Sequence, residues 1–173
     1  MADHIKLQVL KALTAHLEGI TKANGYQHDL KDKVFRGRAV FGATDAVPLL
    51  SILESPAPLD GFYADEQKTL RKDTLVLLVQ GWAEDDSRNP TDPVYPLLAD
   101  VQRRLSDIVS LDEGSNRPRW PGVYMLKGLI SDMDIGQDAV RPADEGVSAK
   151  AFFYMPIRIT LPVNLIDPTE KVE

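Results

Sequence analysis

The run 74-TLVLLVQGW-82 limits the fold more than any other stretch of the chain. It is the most apolar segment and is too short for a helix. Its neighbours, TLRKD and EDDSRN, are strongly charged. Little alternation over so short a run predicts a strand buried on both faces. Such a strand needs partners beside it, and the chain offers several. In 33-KVFRGRAVFG-42, Val34, Arg36, Arg38 and Val40 alternate with Phe35, Gly37, Ala39 and Phe41. That period of two predicts a strand with one apolar and one arginine-bearing face. The segment 47-VPLLSILES-55 predicts a second strand, entered through Pro48. Towards the end, 123-VYMLKGLISDMDIG-136 and 150-KAFFYMPIRITLPVNL-165 read as strands. Pro156 and Pro162 predict that the closing strand lies at an edge, because proline cannot donate to a ladder on both sides.

Two helices flank these strands. Over 3–23, Ile5, Val9, Ala12, Leu13, His16, Leu17 and Ile20 form one stripe at helical spacing, with Asp3 as cap and Asn24-Gly25 as left-handed stop. The second begins near 90-PTDPVYPLL-98 and ends at Glu113-Gly114, with Thr91 or Asp92 as cap. Its stripe is Val94, Leu97, Leu98, Val101, Leu105, Ile108 and Val109. Asp100–Arg104 and Arg103–Asp107 read as outward i,i+4 pairs. The fold class is therefore α+β: a mainly antiparallel, mixed sheet with two helices on one face. The proline- and acid-bearing stretch 55–69 adds an extended loop or hairpin arm. With 173 residues the chain is one domain, over 1–166, followed by a flexible tail, 167–173.

Composition narrows the function classes. The net charge is −6, which argues against a protein whose affinity rests on neutralising phosphates. There is no cysteine, hence no disulfide and no thiolate chemistry. No apolar run reaches the roughly 20 residues of a membrane span, and MADHIKLQ lacks the pattern of a secretory signal, so the expected setting is a cytoplasm.

The stretch 131-SDMDIGQDA-139 resembles the start of a calcium loop. The motif then fails. Counted from Asp132, position 12 is Ala143 rather than glutamate, and the glycine falls at position 5 rather than 6. A strand with Asp132 and Asp134 on its solvated face is the simpler reading. The alternative is a weak divalent site on Asp132 and Asp134, completed by Asp138 or Asp144. His16 lies on the first helical stripe and reads as a core histidine. His28 stands next to Asp29 in a turn without a nucleophile motif. No P-loop, GxSxG, GxGxxG or HExxH is present. The run 31-KDKVFRGR-38 is a solvated strand face or a basic stripe that meets an acidic partner. Trp82 and Trp120 sit where tryptophan marks either an interface or a core edge.

Taken in order, these parts resemble the tail terminator (tail completion) proteins of long-tailed bacteriophages, the family of minor tail protein U. The likeness is carried by the order 3-DHIKLQVLKALTAHLEGI-20, 34-VFRGR-38, 48-PLLSILE-54, 70-LRKDTLVLLVQGW-82, 94-VYPLLADVQRRLSDI-108, 128-GLISDMDIGQD-138 and 151-AFFYMPIRITLPV-163. It spans nearly the whole chain, although the closing strand and the 55–69 insert are longer than in a minimal member. The resemblance implies a structural virion protein and no enzyme. Assembled in the host cytoplasm, it closes the head-proximal end of the tail tube as a homo-oligomeric ring, typically a hexamer. The ring stops tube polymerisation and presents a surface to head-completion or neck proteins. DNA passes its lumen transiently, and no membrane is involved. No cofactor is expected beyond the structural divalent cation left open above. The interface candidates are Arg36, Arg38, Phe62, Tyr63, Trp82, Trp120, Phe153 and Arg158. The competing readings are another neck or head–tail connector protein, a divalent-metal-dependent hydrolase using Asp132, Asp134 and Asp138, and a monomeric ligand-binding module.

Overall fold

A computed structural model describes residues 1–56, 68–144 and 148–173. Its elements are α1 (Ile5–Glu18), β1 (Val34–Arg36), β2 (Leu49–Glu54), β3 (Leu70–Trp82), α2 (Val94–Ser106), the short α3 (Met125–Gly128), β4 (Asp132–Ile135), β5 (Ala139–Arg141) and β6 (Phe152–Asn164). The strands make one six-stranded sheet in the order β1-β2-β3-β6-β4, with β5 also paired to β6. β1 joins β2 in parallel, and every other pair is antiparallel. The stripes of α1 and α2 share one core with Leu50, Ile52, Leu77, Val79, Phe153, Met155 and Ile157 from the sheet. This is the α+β architecture expected, with α1 and α2 on one face. Most of the expected arm, 57–67, lies outside the described residues.

The spine is the ladder between β3 and β6, unbroken from Leu70↔Asn164 to Trp82↔Phe152. β3 is not buried on both faces. Asp73, Leu75, Leu77 and Val79 are buried towards the helices, whereas Lys72, Thr74 and Val76 are exposed. Helices cover only one side of the sheet, so the alternate residues stay wet. Nor is β6 an edge strand, because β4 and β5 pair along its other side. Its prolines are accommodated by parity. The Gly136 amide donates to the Pro156 carbonyl at 2.8 Å. In an antiparallel strand a residue's N–H and C=O point the same way. The missing N–H of Pro156 therefore faces the gap between β4 and β5. Pro162, six residues on, faces that same side beyond the end of β4. The ladder to β3 loses nothing.

The stretch 123–136 is not one long strand. Met125, Leu126 and Lys127 have φ of 48°, 51° and 59°, and Gly128 has 77°, a left-handed turn before β4. Such a turn costs about 1–2 kcal/mol per non-glycine residue. The Met125 amide bonds the Ile108 carbonyl at 2.9 Å, and Leu126 and Ile130 are buried, which offsets that cost. β1 is also shorter than its pattern suggests. It stops at Gly37, whose φ is 70°. Arg36 extends from it to the hydroxyl of Thr14 on α1 at 2.9 Å.

The helix ends differ in detail. The His4 ring, not Asp3, accepts the Lys6 amide at the start of α1. Gly25 stops the chain only after a 3-10 turn, Lys22–Asn24. α2 starts at Val94 without a side-chain cap and ends at Ser106, well before Glu113. The terminal residues, expected to be flexible, are tied to α1. The Pro168 carbonyl accepts the Ile5 amide at 2.8 Å, and that of Thr169 accepts the Gln8 side chain at 2.7 Å. An otherwise unpartnered N–H of the first helical turn is thereby satisfied.

Candidate interaction surface

The acidic stretch resolves as a strand. Asp132 and Asp134 project from the exposed face of β4, with Met133 buried between them. The Asp132 carboxylate accepts the Met133 amide at 2.9 Å. Asp138 accepts from the Gln102 side chain of α2 at 2.9 Å. Asp134 lies 3.8 Å from Arg158, its neighbour in register on β6, and both side chains are more than 60% exposed. A pair so wet is loose and contributes little to stability. Among the described residues, no three histidine, aspartate or glutamate side chains come together as a metal site.

The interface candidates divide by burial. Trp120 is 49% exposed and Arg36 is exposed. Arg158 is exposed as described above. Trp82 and Phe153 are not available to a partner, being 3% and 0% exposed. Phe153 is an inward residue of the central ladder and belongs to the main core. Its room comes from Gly81, its register partner, where a Cβ would stand 2.3 Å from the Phe153 ring. Trp82 belongs to a second cluster, with Phe41, Leu49 and Phe152, on the side of the sheet away from the helices. Arg38 closes this cluster. Its guanidinium stands 4.2 Å from the Phe41 ring centroid and 4.9 Å from that of Phe35. It also pairs with Asp45 at 2.6 Å. Hydrogen bonds from Arg38 and from the Gly42 amide hold the Asp45 carboxyl below its usual range. Arg38 is thus half-buried and already engaged. Phe62 and Tyr63 lie outside the described residues.

Trp120 is presented by a held loop. Leu111 bridges Pro118, the Asp112 amide donates to the Arg117 carbonyl at 2.8 Å, and the Arg119 amide donates to the Ser110 carbonyl at 2.9 Å. Arg119 leans over the Trp120 ring at 5.8 Å. Leu111, bridged to Pro118 in the same loop, is exposed as well. Sequence reasoning singled out Trp120 but missed Leu111 and Arg119, which only the bridge brings close. Tryptophan and arginine are the residues that most often carry interface energy.

The histidines are structural. His16 is buried, and its Nε2 meets the Arg104 carbonyl at 2.6 Å, while Arg104 Nε returns a bond to the His16 carbonyl at 2.7 Å. The pair clamps α1 to α2. Burial lowers the His16 pKa, and the Arg104 bond opposes this only in part. His28 does not pair with Asp29, and Asp100 does not face outward. Asp100 is 4% exposed and accepts from the Gln27 amide, the His28 amide and the His28 ring at 3.0, 3.1 and 2.7 Å. It fastens the turn after α1 to α2. Its position, three residues after Leu97 on the flank of the apolar stripe, was the available signal.

Asp73 does the same work between α1 and β3. Burial raises its pKa, but bonds from Lys6 at 2.6 Å and Arg71 at 3.0 Å outweigh that and hold it below the usual range. Among the described residues, no helix is long and apolar enough to cross a membrane. No protein-family model and no curated protein matches this chain.

Proposed function

We propose that this chain is a structural capping protein that closes the head-proximal end of a bacteriophage tail tube as a ring of identical subunits. It stops tube growth there and offers the finished end to head-completion proteins. Tail tube and neck proteins are its partners, and it works as an assembly protein, not an enzyme. The observation that carries this reading is the ordered presentation of Trp120 with Arg119 and Leu111, on a mixed sheet whose helices leave one face uncovered. Contact residues fixed in advance lose little entropy when a partner arrives. The order of helices and strands agrees with the resemblance described above. The net charge of −6 suits a lumen that lets DNA pass without gripping it.

The test is growth of purified tail tubes in the presence of the protein. Tube lengths should stop increasing at sub-stoichiometric protein, with density at one end in electron micrographs. Trp120→Ala should weaken capping by about tenfold or more at an unchanged melting temperature. Tubes that keep growing, or tight binding of the protein to duplex DNA at physiological salt, would sink the reading.

A further inference from the structure

The two charged runs of the sequence lie at opposite edges of the same sheet. β1 is one terminal strand and β4 the other, and among the described residues no strand lies beyond either. The run at β1, 31-KDKVFRGR-38, holds four basic residues and one aspartate. The run at β4, 132-DMDIGQD-138, holds three aspartates and no basic residue. Lys31 and Arg36 are exposed and Lys33 is half-exposed. At the other edge Asp132 and Asp134 are exposed, and the nearest cation to Asp134 is the loosely placed Arg158. Arg38 is satisfied by Asp45, and Arg36 lies on the helix-side face bonded to Thr14, so the charge that the β1 edge can offer on the face of Asp132 and Asp134 is that of Lys33, with Lys31 just before it.

We infer that the partner of each edge is the opposite edge of a second copy: the basic β1 edge of one subunit meets the acidic β4 edge of the next. The inference rests on the ring reading above for the premise that copies meet, and it names the surfaces. Three features point the same way. A contact between two different edges is heterologous, the kind that closes into a ring when the rotation per subunit allows. Opposite charge at the two edges favours this head-to-tail arrangement. It disfavours β1 against β1 and β4 against β4, where like charges would face each other. Strand direction agrees too. β1 runs parallel to β2, and the steps β2-β3-β6-β4 are each antiparallel, so β1 and β4 run oppositely within one subunit. A second copy laid on in the same orientation therefore brings its β1 antiparallel to β4. Antiparallel pairing is the more stable kind per residue. Charge at strand edges that blocks indiscriminate pairing in other proteins here selects one pairing.

Two double variants test this by light scattering and sedimentation over a concentration series. Asp132→Lys with Asp134→Lys reverses the acidic edge, and Lys31→Glu with Lys33→Glu reverses the basic one. Each alone should raise the apparent dissociation constant of self-association by about 100-fold or more, since like charges then face each other. Mixed in equal amounts, the two should associate again, because every edge regains an opposite partner. Wild-type association should also weaken as salt rises through the range in which the Debye length falls below about 10 Å. The milder Asp132→Asn with Asp134→Asn, with melting curves for all variants, separates lost association from lost folding.

Single-edge variants that assemble like wild type would overturn the inference, as would a mixture that stays dissociated. A wild-type chain that remains monomeric at every concentration would overturn it as well. Tube capping is read separately. Charge-reversed variants that still form rings on tubes refute the edges and leave the capping reading standing. Edges that pair as described in a protein with no effect on tubes refute the capping reading alone.

Discussion

The two faces of this sheet are built from the same strands and follow different rules. Towards α1 and α2, alternate residues of β2, β3 and β6 are mostly apolar and buried, Phe153 among them, with Asp73 held there by Lys6. Away from the helices, the same strands show a gradient. At one end Phe41, Leu49, Trp82 and Phe152 close into a small aromatic cluster under Arg38. Towards the other end Val76 pairs with Arg158, and Thr74 with Thr160, in the open. One face holds the molecule together. The other, beyond the aromatic cluster, is free to vary with contact requirements, because little of the area there is removed from water within the subunit.

The largest expected contrast comes from two neighbours on β6. Phe153→Ala removes a fully buried ring and should cost about 3–5 kcal/mol. Tyr154→Ala, one residue on, facing outward and 37% exposed, should cost only about 1 kcal/mol. Urea denaturation of both variants measures the difference. Equal costs would mean that the outward face is covered within the subunit after all.

A second contrast concerns two carboxylates. Asp100→Ala strips the acceptor from two amides and a histidine ring and should cost about 1–3 kcal/mol. Asp134→Ala, on the exposed face of β4, should leave the unfolding midpoint unchanged while weakening self-association. An Asp134→Ala variant that unfolds earlier would move this residue from the contact surface into the fold.

The difference between the faces also explains what the sequence makes legible. The helical stripes were readable because Val94, Leu97, Leu98, Val101 and Leu105 face one dry surface, and burial imposes the period directly. The strand at 74–82 was located correctly but assigned two buried faces. Val76 and Leu78 are apolar without being fully buried, and a single chain does not show which apolar residues are covered by something else. The prolines of β6 misled for a related reason. They exclude a ladder on one side of two residues, and β4 and β5 are short enough to avoid both. The left-handed turn at Met125–Lys127 has no local signal, because it is held by a distant partner, the Ile108 carbonyl. Of the exposed candidates, Trp120, Arg36 and Arg158 were identifiable by residue type. The placement of the acidic and basic runs on opposite edges was not, since it depends on β6 inserting between β3 and β4.

Acid should loosen the helical side in two steps, with a smaller effect. Burial lowers the pKa of His16 from 6.5, so the folded chain keeps that ring neutral while the unfolded chain protonates it. The contribution of His16 is complete above about pH 6.5 and declines as the pH falls below it. For Asp73, depressed from 3.8, the loss begins only as the pH falls through the usual carboxylate range. His16→Gln, which keeps a donor for the Arg104 carbonyl, should flatten the wild-type decline between pH 6.5 and 5. Stability measured by urea titration across that interval decides it. Parallel curves for variant and wild type would show that His16 is not the group titrating.

A small net effect is expected from Trp82→Phe, on the face away from the helices. Its ring packs 4.2 Å from Phe41 and 6.2 Å from Phe152, so Trp82→Ala should cost about 3–5 kcal/mol. Its Nε1 is buried, however, and has no hydrogen-bond partner among the described residues. A buried donor left unpaired costs about 1–3 kcal/mol. Trp82→Phe removes that donor together with the outer part of the ring, so the gain offsets the lost packing. The net change should fall within about 1 kcal/mol, read from urea midpoints at constant m-value. A loss well beyond that would mean the indole N–H is bonded in solution, and that this end of the outer face is closed as tightly as the helical one.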